Sequence, residues 1–196
     1  MPKRLLCCLF LATTFCLVGS LNYARADTLT FFTVMQGINE VPPNASTAVG
    51  TTLATINTVT NTLTIDVVFS GLIGGNAAAA HIHCCAPPGV NAAVAIPYTP
   101  FPAATSGTFH AVLDLGNAAS YNAAFITANG GTVASAEAAL IAGMLNGQTY
   151  SNIHDAQFQG GEIRGQLAAV PEPATMLLLG TGLLGLARVT RFRRRR

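Results

Sequence analysis

Residues 50–70 read GTTLATINTVTNTLTIDVVFS, and this stretch decides the fold class. Two segments rich in Thr, Val and Ile, at 50–57 and 62–70, flank a short polar connection, which is the pattern of a β-hairpin. The alternating apolar residues of the second segment are Leu63, Ile65, Val67 and Phe69. Because side chains alternate across a strand, they predict one buried face of an antiparallel pair.

The same composition, rich in Thr, Val, Ala, Gly and Asn, continues through the body of the chain. We expect further strands at 28–36, 78–83, 92–96, 108–113, 149–154 and 162–167. Residues 135–146 differ, because Ala, Leu, Ile and Met dominate there, and they predict one short helix. The chain is therefore expected to be all-β, a mainly antiparallel β-sandwich or flattened barrel of seven or eight strands, immunoglobulin-like or superoxide-dismutase-like.

The first 26 residues predict a secretory signal peptide. Lys3 and Arg4 precede an apolar run at 5–18, and Ala24 and Ala26 form a small-x-small cleavage site. About 14 apolar residues are too few to cross a bilayer, which takes roughly 20. We expect signal peptidase to cut after Ala26 and the following domain to act outside the cytoplasm.

Residues 170–196 predict a membrane-anchoring tail. Pro171, Glu172 and Pro173 precede an apolar segment at 174–187, and a cluster of arginines ends the chain. This order predicts a transmembrane helix with cytoplasmic arginines. It resembles the PEP-CTERM sorting signal. The resemblance implies an inner-membrane intermediate of a Gram-negative-type bacterium, processed by an exosortase and passed to the cell surface or extracellular matrix.

The residues between the two ends, 27–169, have the size of one domain. Nine of the ten Lys and Arg residues lie in the end segments, and only Arg164 remains in the body. Seven acidic residues against this one arginine give the body a net charge near −6. Nucleic-acid binding needs several cationic side chains, so we expect no nucleic-acid partner. We expect Arg164 to pair with a carboxylate.

A His-x-His pattern in a predicted strand indicates a metal site. His81 and His83 lie two residues apart, so their imidazoles face the same side of the strand. His154 ends another predicted strand and joins them if the two strands are neighbours. Three imidazoles suit zinc or copper, and Asp155 and Glu162 are candidates to orient them by hydrogen bonds. The pattern is equally compatible with histidines that only hydrogen-bond across a sheet.

Two cysteines, Cys84 and Cys85, directly follow these histidines. Neighbouring cysteines can be free thiols, a vicinal disulfide, intermolecular bridges or metal ligands. The oxidising environment outside the cytoplasm favours an oxidised form. A vicinal disulfide would remove both sulfurs from metal binding.

Four motifs in order resemble the CHRD domain. They are NEVPP at 39–43, AHIH at 80–83, YSNIH at 150–154 and GGEIRGQL at 160–167. The resemblance implies an immunoglobulin-like β module of secreted and surface proteins, with no established catalytic activity. The His-x-His strand and the later histidine are also similar to the copper site of Cu/Zn superoxide dismutases. With four histidines in total, this chain cannot supply the full two-metal site of those enzymes.

Two functions are consistent with these features. The first is a non-enzymatic surface or matrix module that binds other matrix components. The second is a copper- or zinc-binding β domain, redox-active in a dismutase-like way if the metal is copper. Metal analysis of the purified protein distinguishes the two.

Overall fold

The computed structural model describes residues 27–171 and 180–184. The predicted signal peptide with its cleavage site after Ala26, the sorting residues Glu172 and Pro173, and most of the predicted transmembrane helix lie outside the described residues. Within the two described ranges, no helix has the length and apolar character that a membrane span requires.

The described body is all-β, as predicted, and every strand pairing is antiparallel. The elements in chain order are β1 (Thr28–Gln36), β2 (Val49–Asn57), β3 (Thr62–Ser70), β4 (Ala79–Cys84), β5 (Val94–Pro97), β6 (Gly107–Asp114), α1 (Ala123–Ala128), α2 (Val133–Leu145), β7 (Thr149–His154), β8 (Ile163–Gln166) and β9 (Ala168–Ala169). The predicted bounds of β1 and β7 are confirmed to the residue.

The strands form one curved sheet, an open half-barrel, in the order β5-β4-β7-β8-β1-β2-β3-β6, with β9 beside β1. The sheet is curved so strongly that strands that are not neighbours contact each other across its concave side. Thr52 on β2 donates a hydrogen bond to Ser151 on β7 at 2.9 Å, and the Tyr98 hydroxyl is 2.9 Å from the same serine. The flattened barrel is therefore the closer of the two predicted architectures.

The hairpin of β2 and β3 is confirmed. Ile56 lies opposite Leu63, and Ala54 lies opposite Ile65. The four alternating apolar residues of β3 are all buried, and they join the main core with Phe31 and Met35 of β1. The period-two pattern therefore places the concave side of the sheet correctly.

The prediction of a single helix is wrong, because α1 precedes α2. Asn122 caps α1 by accepting a hydrogen bond from the Ala124 amide, and Phe125 anchors it in the core. Six residues are too few for a clear helical period. The predicted helix begins two residues early, at Val133, because Thr132 and Ser135 form a capping box.

The convex face of the sheet differs between its two halves. On β2 and β3 buried and less buried residues alternate, whereas every residue of β7 except His154 is buried. Loops cover this second half: Asn44 donates hydrogen bonds to the carbonyls of Gly161 and Glu162, and Asn91 donates one to Val41. The polar residues of β4, β7 and β8 are thereby enclosed beneath loops.

Candidate metal centre

The register of β4 against β7 brings the three predicted histidines together. Ala79 pairs with His154, His81 with Asn152, and His83 with Tyr150. Since β4 and β7 are neighbours, His154 lies on the same convex face as the His-x-His pair. The condition set by the sequence for a three-histidine cluster is met.

The three imidazoles are close enough to share one metal ion. One ring nitrogen from each of His81, His83 and His154 lies within 4.8 Å of the others. The ring centroid of His81 is 5.5 Å from that of His83 and 5.1 Å from that of His154. His83 is buried, and the other two rings are partly buried.

Each ring carries one buried nitrogen without a hydrogen-bond partner. These atoms are His81 Nδ1, His83 Nε2 and His154 Nε2. A buried polar atom normally has a partner, and leaving one unpaired costs about 1–3 kcal/mol. Three such atoms, one on each ring of a single cluster, are what a metal ion would satisfy.

Backbone carbonyls orient two of the rings. His83 Nδ1 lies 2.8 Å from the Ala92 carbonyl oxygen, and His154 Nδ1 lies 2.9 Å from that of Gln159. A carbonyl oxygen only accepts, so each Nδ1 carries the proton and each Nε2 presents its lone pair. This is the tautomer that a metal ligand requires, with its outer nitrogen held by the protein.

The electrostatics of the cluster favour neutral imidazoles. Burial, with the neighbouring His154 and His83, lowers the pKa of His81 from 6.5 to about 4. Burial also lowers the pKa of His83 and of His154. The rings are therefore neutral near pH 7, and neutral imidazole is the form that binds a metal.

The two carboxylates predicted to orient the histidines accept hydrogen bonds from other groups instead. Asp155 accepts hydrogen bonds from the amides of Gln157 and Phe158, and it acts on His154 only through its charge. Glu162 accepts from three donors on two other loops, which are Ser46 Oγ, Ile73 N and Gly74 N. Burial, and then the neighbouring Asp155, raise the pKa of Glu162. Glu162 thus joins two loops. The groups that orient the His83 and His154 rings are backbone carbonyls, which the residue types in a sequence do not indicate.

The prediction that Arg164 pairs with a carboxylate is wrong for the described residues, since none of their acidic groups is within 4.0 Å of it. Its guanidinium donates hydrogen bonds to Asn91 Oδ1 and the Val90 carbonyl, and it lies 3.3 Å from the ring centre of Tyr150. The His83 ring also stacks on Tyr150, with 4.6 Å between centroids. Arg164 therefore supports His83 through Tyr150.

Two further polar residues lie beside the cluster that were not among the predicted site residues. Glu40 is 4% exposed and Asn152 is 1% exposed, and each has one side-chain oxygen without a hydrogen-bond partner. Burial raises the pKa of Glu40 from 4.5 to about 7, although the positive charge of Arg164 lowers it. Alternation along the predicted strand at 149–154 places Asn152 on the face of His154, whereas the position of Glu40 in the NEVPP motif does not indicate that it lies near the histidines.

The cysteines form a vicinal disulfide, one of the four forms left open by the sequence. Cys84 is buried in the core, and both sulfurs lie where a Cβ on Gly143 of α2 would stand. Among the described residues, the group able to hold a metal comprises the three histidines and neither cysteine.

Comparison with known families agrees with the motifs in the sequence. The CHRD domain model matches residues 31–167, and the PEP-CTERM protein-sorting motif matches residues 169–196. No curated protein and no solved structure gives a significant match. The sorting motif makes the chain an exported protein that is anchored in the membrane before exosortase processing. Since the first match covers more than half of the sequence, the chain belongs to the CHRD domain family.

Proposed function

We propose that this exported protein carries a metal-binding β domain to the cell surface or extracellular matrix. The domain binds zinc or copper through His81, His83 and His154. The observation that carries the proposal is that each of these three rings has one buried nitrogen without a hydrogen-bond partner, in a cluster where one nitrogen from each ring lies within 4.8 Å of the others.

The donor set supports these two metals. Imidazole nitrogen suits zinc and copper, whereas magnesium and calcium take oxygen ligands. The described cluster contains imidazoles and no thiol. The carbonyl oxygens of Ala92 and Gln159 hold two of the rings in position, so little reorganisation accompanies binding.

The role we propose is binding rather than catalysis. In the matrix, a metal held by the domain would be stored or would connect the domain to another component. A copper-dependent dismutase activity is the competing function. Superoxide consumption by the copper-loaded protein decides between them: we expect the rate of free copper controls or less, and turnover above them would establish an enzyme.

Replacement of the histidines tests the site itself. The full-length protein, purified in detergent and freed of metal by a chelator, is titrated with Zn²⁺ in a calorimeter. We expect one ion per chain, and we expect His81→Ala combined with His83→Ala to lower the affinity more than about 100-fold, because two of three ligands are lost.

His110→Ala is the matched control. His110 lies on β6, and its Nδ1 is 2.7 Å from Asp66 Oδ1 at an exposed position outside the cluster. Its replacement should leave zinc binding unchanged. A wild-type protein that binds no metal, or equal binding by the double variant and the His110 variant, contradicts the proposal.

Delivery can be tested separately by mass spectrometry of the protein recovered from the surface of its host. We expect a first residue of Asp27 and loss of the arginine-rich end of the chain. A protein that keeps this end in its final location contradicts release from the membrane.

A further inference from the structure

Asn152 occupies the place next to the histidine cluster where a further ligand would lie. It is directly opposite His81 in the pairing of β4 and β7, and it lies between Tyr150 and His154 on the same face of β7. The side chain is 1% exposed, and its Oδ1 has no hydrogen-bond partner. An amide oxygen this deeply buried without a donor needs an explanation.

The surroundings of Gly161 show which end of the amide faces away from the histidines. A Cβ on Gly161 would meet both Glu40 Oε1 and Asn152 Nδ2, so the amide nitrogen lies on the side of Gly161 and Glu40. Oδ1 is the other end of the same planar amide, so it is directed away from that side.

The histidine cluster lies on the same convex face, since Asn152 is opposite His81 and precedes His154 by two residues on β7. The His83 proton is on Nδ1, toward the Ala92 carbonyl, and its Nε2 has no hydrogen-bond partner. The buried Oδ1 of Asn152 and one buried nitrogen on each of the three rings therefore share this face without a donor for any of their lone pairs. A cation satisfies all of them.

We propose that Asn152 Oδ1 is the fourth ligand of the metal, which completes a site of three imidazole nitrogens and one amide oxygen. The inference rests on the proposed metal binding by the three histidines. Four protein ligands are typical of zinc sites that hold the metal and leave no position for substrate, whereas catalytic zinc sites have three. The oxygen also disfavours Cu⁺, which selects soft sulfur ligands. The site is thus one for a divalent ion that is held rather than used in catalysis.

Cobalt reports the coordination number directly, because four-coordinate Co²⁺ absorbs visible light much more strongly than six-coordinate Co²⁺. The full-length protein in detergent is loaded with Co²⁺ as wild type, Asn152→Ala and Asn152→Asp. We expect intense bands for the wild type. In Asn152→Ala water would take the place of the amide oxygen, so we expect the bands to shift and the zinc affinity to fall about tenfold or more. Asn152→Asp offers a carboxylate oxygen at the same place, so its zinc affinity should return toward that of the wild type.

Asn76→Ala, at an exposed asparagine in the loop after β3, is the control and should behave as wild type. If Asn152→Ala keeps both the wild-type spectrum and the wild-type affinity, Asn152 is not a ligand. A wild-type protein that binds no Co²⁺ at all contradicts instead the binding by the histidines, so the two failures are distinct.

A measurement on the wild type keeps the proposal testable if either variant fails to fold. The side-chain ¹³C carbonyl resonance of Asn152 is followed as Zn²⁺ is added to the isotope-labelled protein. Direct coordination predicts a large shift of this resonance that saturates at one equivalent. A resonance that stays in place while the histidine signals move overturns the assignment.

Discussion

The convex side of the sheet is exposed to solvent on one half and covered by loops on the other. On β1, β2, β3 and β6 the convex face meets solvent, and it carries threonines and separate apolar side chains. Its exposed apolar members are Phe32, Val34, Val49, Leu53, Val68 and Val112. On β4, β7 and β8 the same face is covered by loops, and it carries three histidines, Asn152, Arg164 and Tyr150.

The difference indicates which half of the sheet gives up stability to form a binding site. Exposed threonines and valines on a strand satisfy the sheet and need no partners. Burying a polar side chain lowers the stability of the folded protein unless each of its polar atoms has a hydrogen-bond partner. A covered face made of polar side chains is therefore expected where the protein binds a ligand. The imidazole nitrogens and the amide oxygen that remain unpaired all lie in the covered half.

The largest expected difference between the halves concerns two carboxylates. Glu162→Ala should lower the free energy of unfolding by about 4 kcal/mol, because the donors of Ser46, Ile73 and Gly74 lose their common acceptor. Asp66→Ala, in the exposed half, removes only a surface pair with His110 and should cost less than about 1 kcal/mol. Urea unfolding at pH 7 measures both, and equal losses would remove the contrast between the halves.

A smaller effect is expected from pH acting on Glu40 in the covered half. Its pKa is about 7 in the folded protein against 4.5 as its ordinary value, so the folded state binds more protons between these values. Its contribution to stability is therefore complete below about pH 4.5 and is lost as pH rises through about 7. Relative to Glu40→Gln, the wild type should lose about 2 kcal/mol between pH 5 and pH 8.

The variant Glu40→Gln also cancels the other titrating groups from this comparison. His81 acts in the opposite direction: its pKa is lowered, so its contribution is present above pH 6.5 and is lost as pH falls through about 4. Unfolding curves of both proteins at several pH values give the difference. A constant difference from pH 5 to pH 8 would show that Glu40 is not buried as described.

Composition and alternation made the exposed half of the sheet predictable. Strand composition located β1 and β2, and the period of two left by one buried face located β3, each within one residue of its observed ends. In β7 both faces are buried, so its strand was predicted from composition and turn residues. The order of the strands depends on contacts distant in sequence, such as Thr52 with Ser151, which no local pattern contains.

The site was predictable to the extent that it follows strand geometry. The two-residue spacing of His81 and His83 indicated a shared face, and only the pairing of β4 with β7 added His154. The groups that orient the rings are carbonyls of Ala92 and Gln159, and every residue has a carbonyl, so residue types cannot identify them. Asp155 and Glu162 were plausible by chemistry, but the loops direct both carboxylates to other donors.

X-ray absorption by the zinc-loaded, full-length protein tests the central claim most directly, because it reports the atoms bound to the metal. Binding by His81, His83 and His154 predicts three imidazole nitrogens at about 2.0–2.1 Å from the zinc, and no sulfur at about 2.3 Å. A spectrum with sulfur ligands, or one without the outer scattering of imidazole rings, would contradict it.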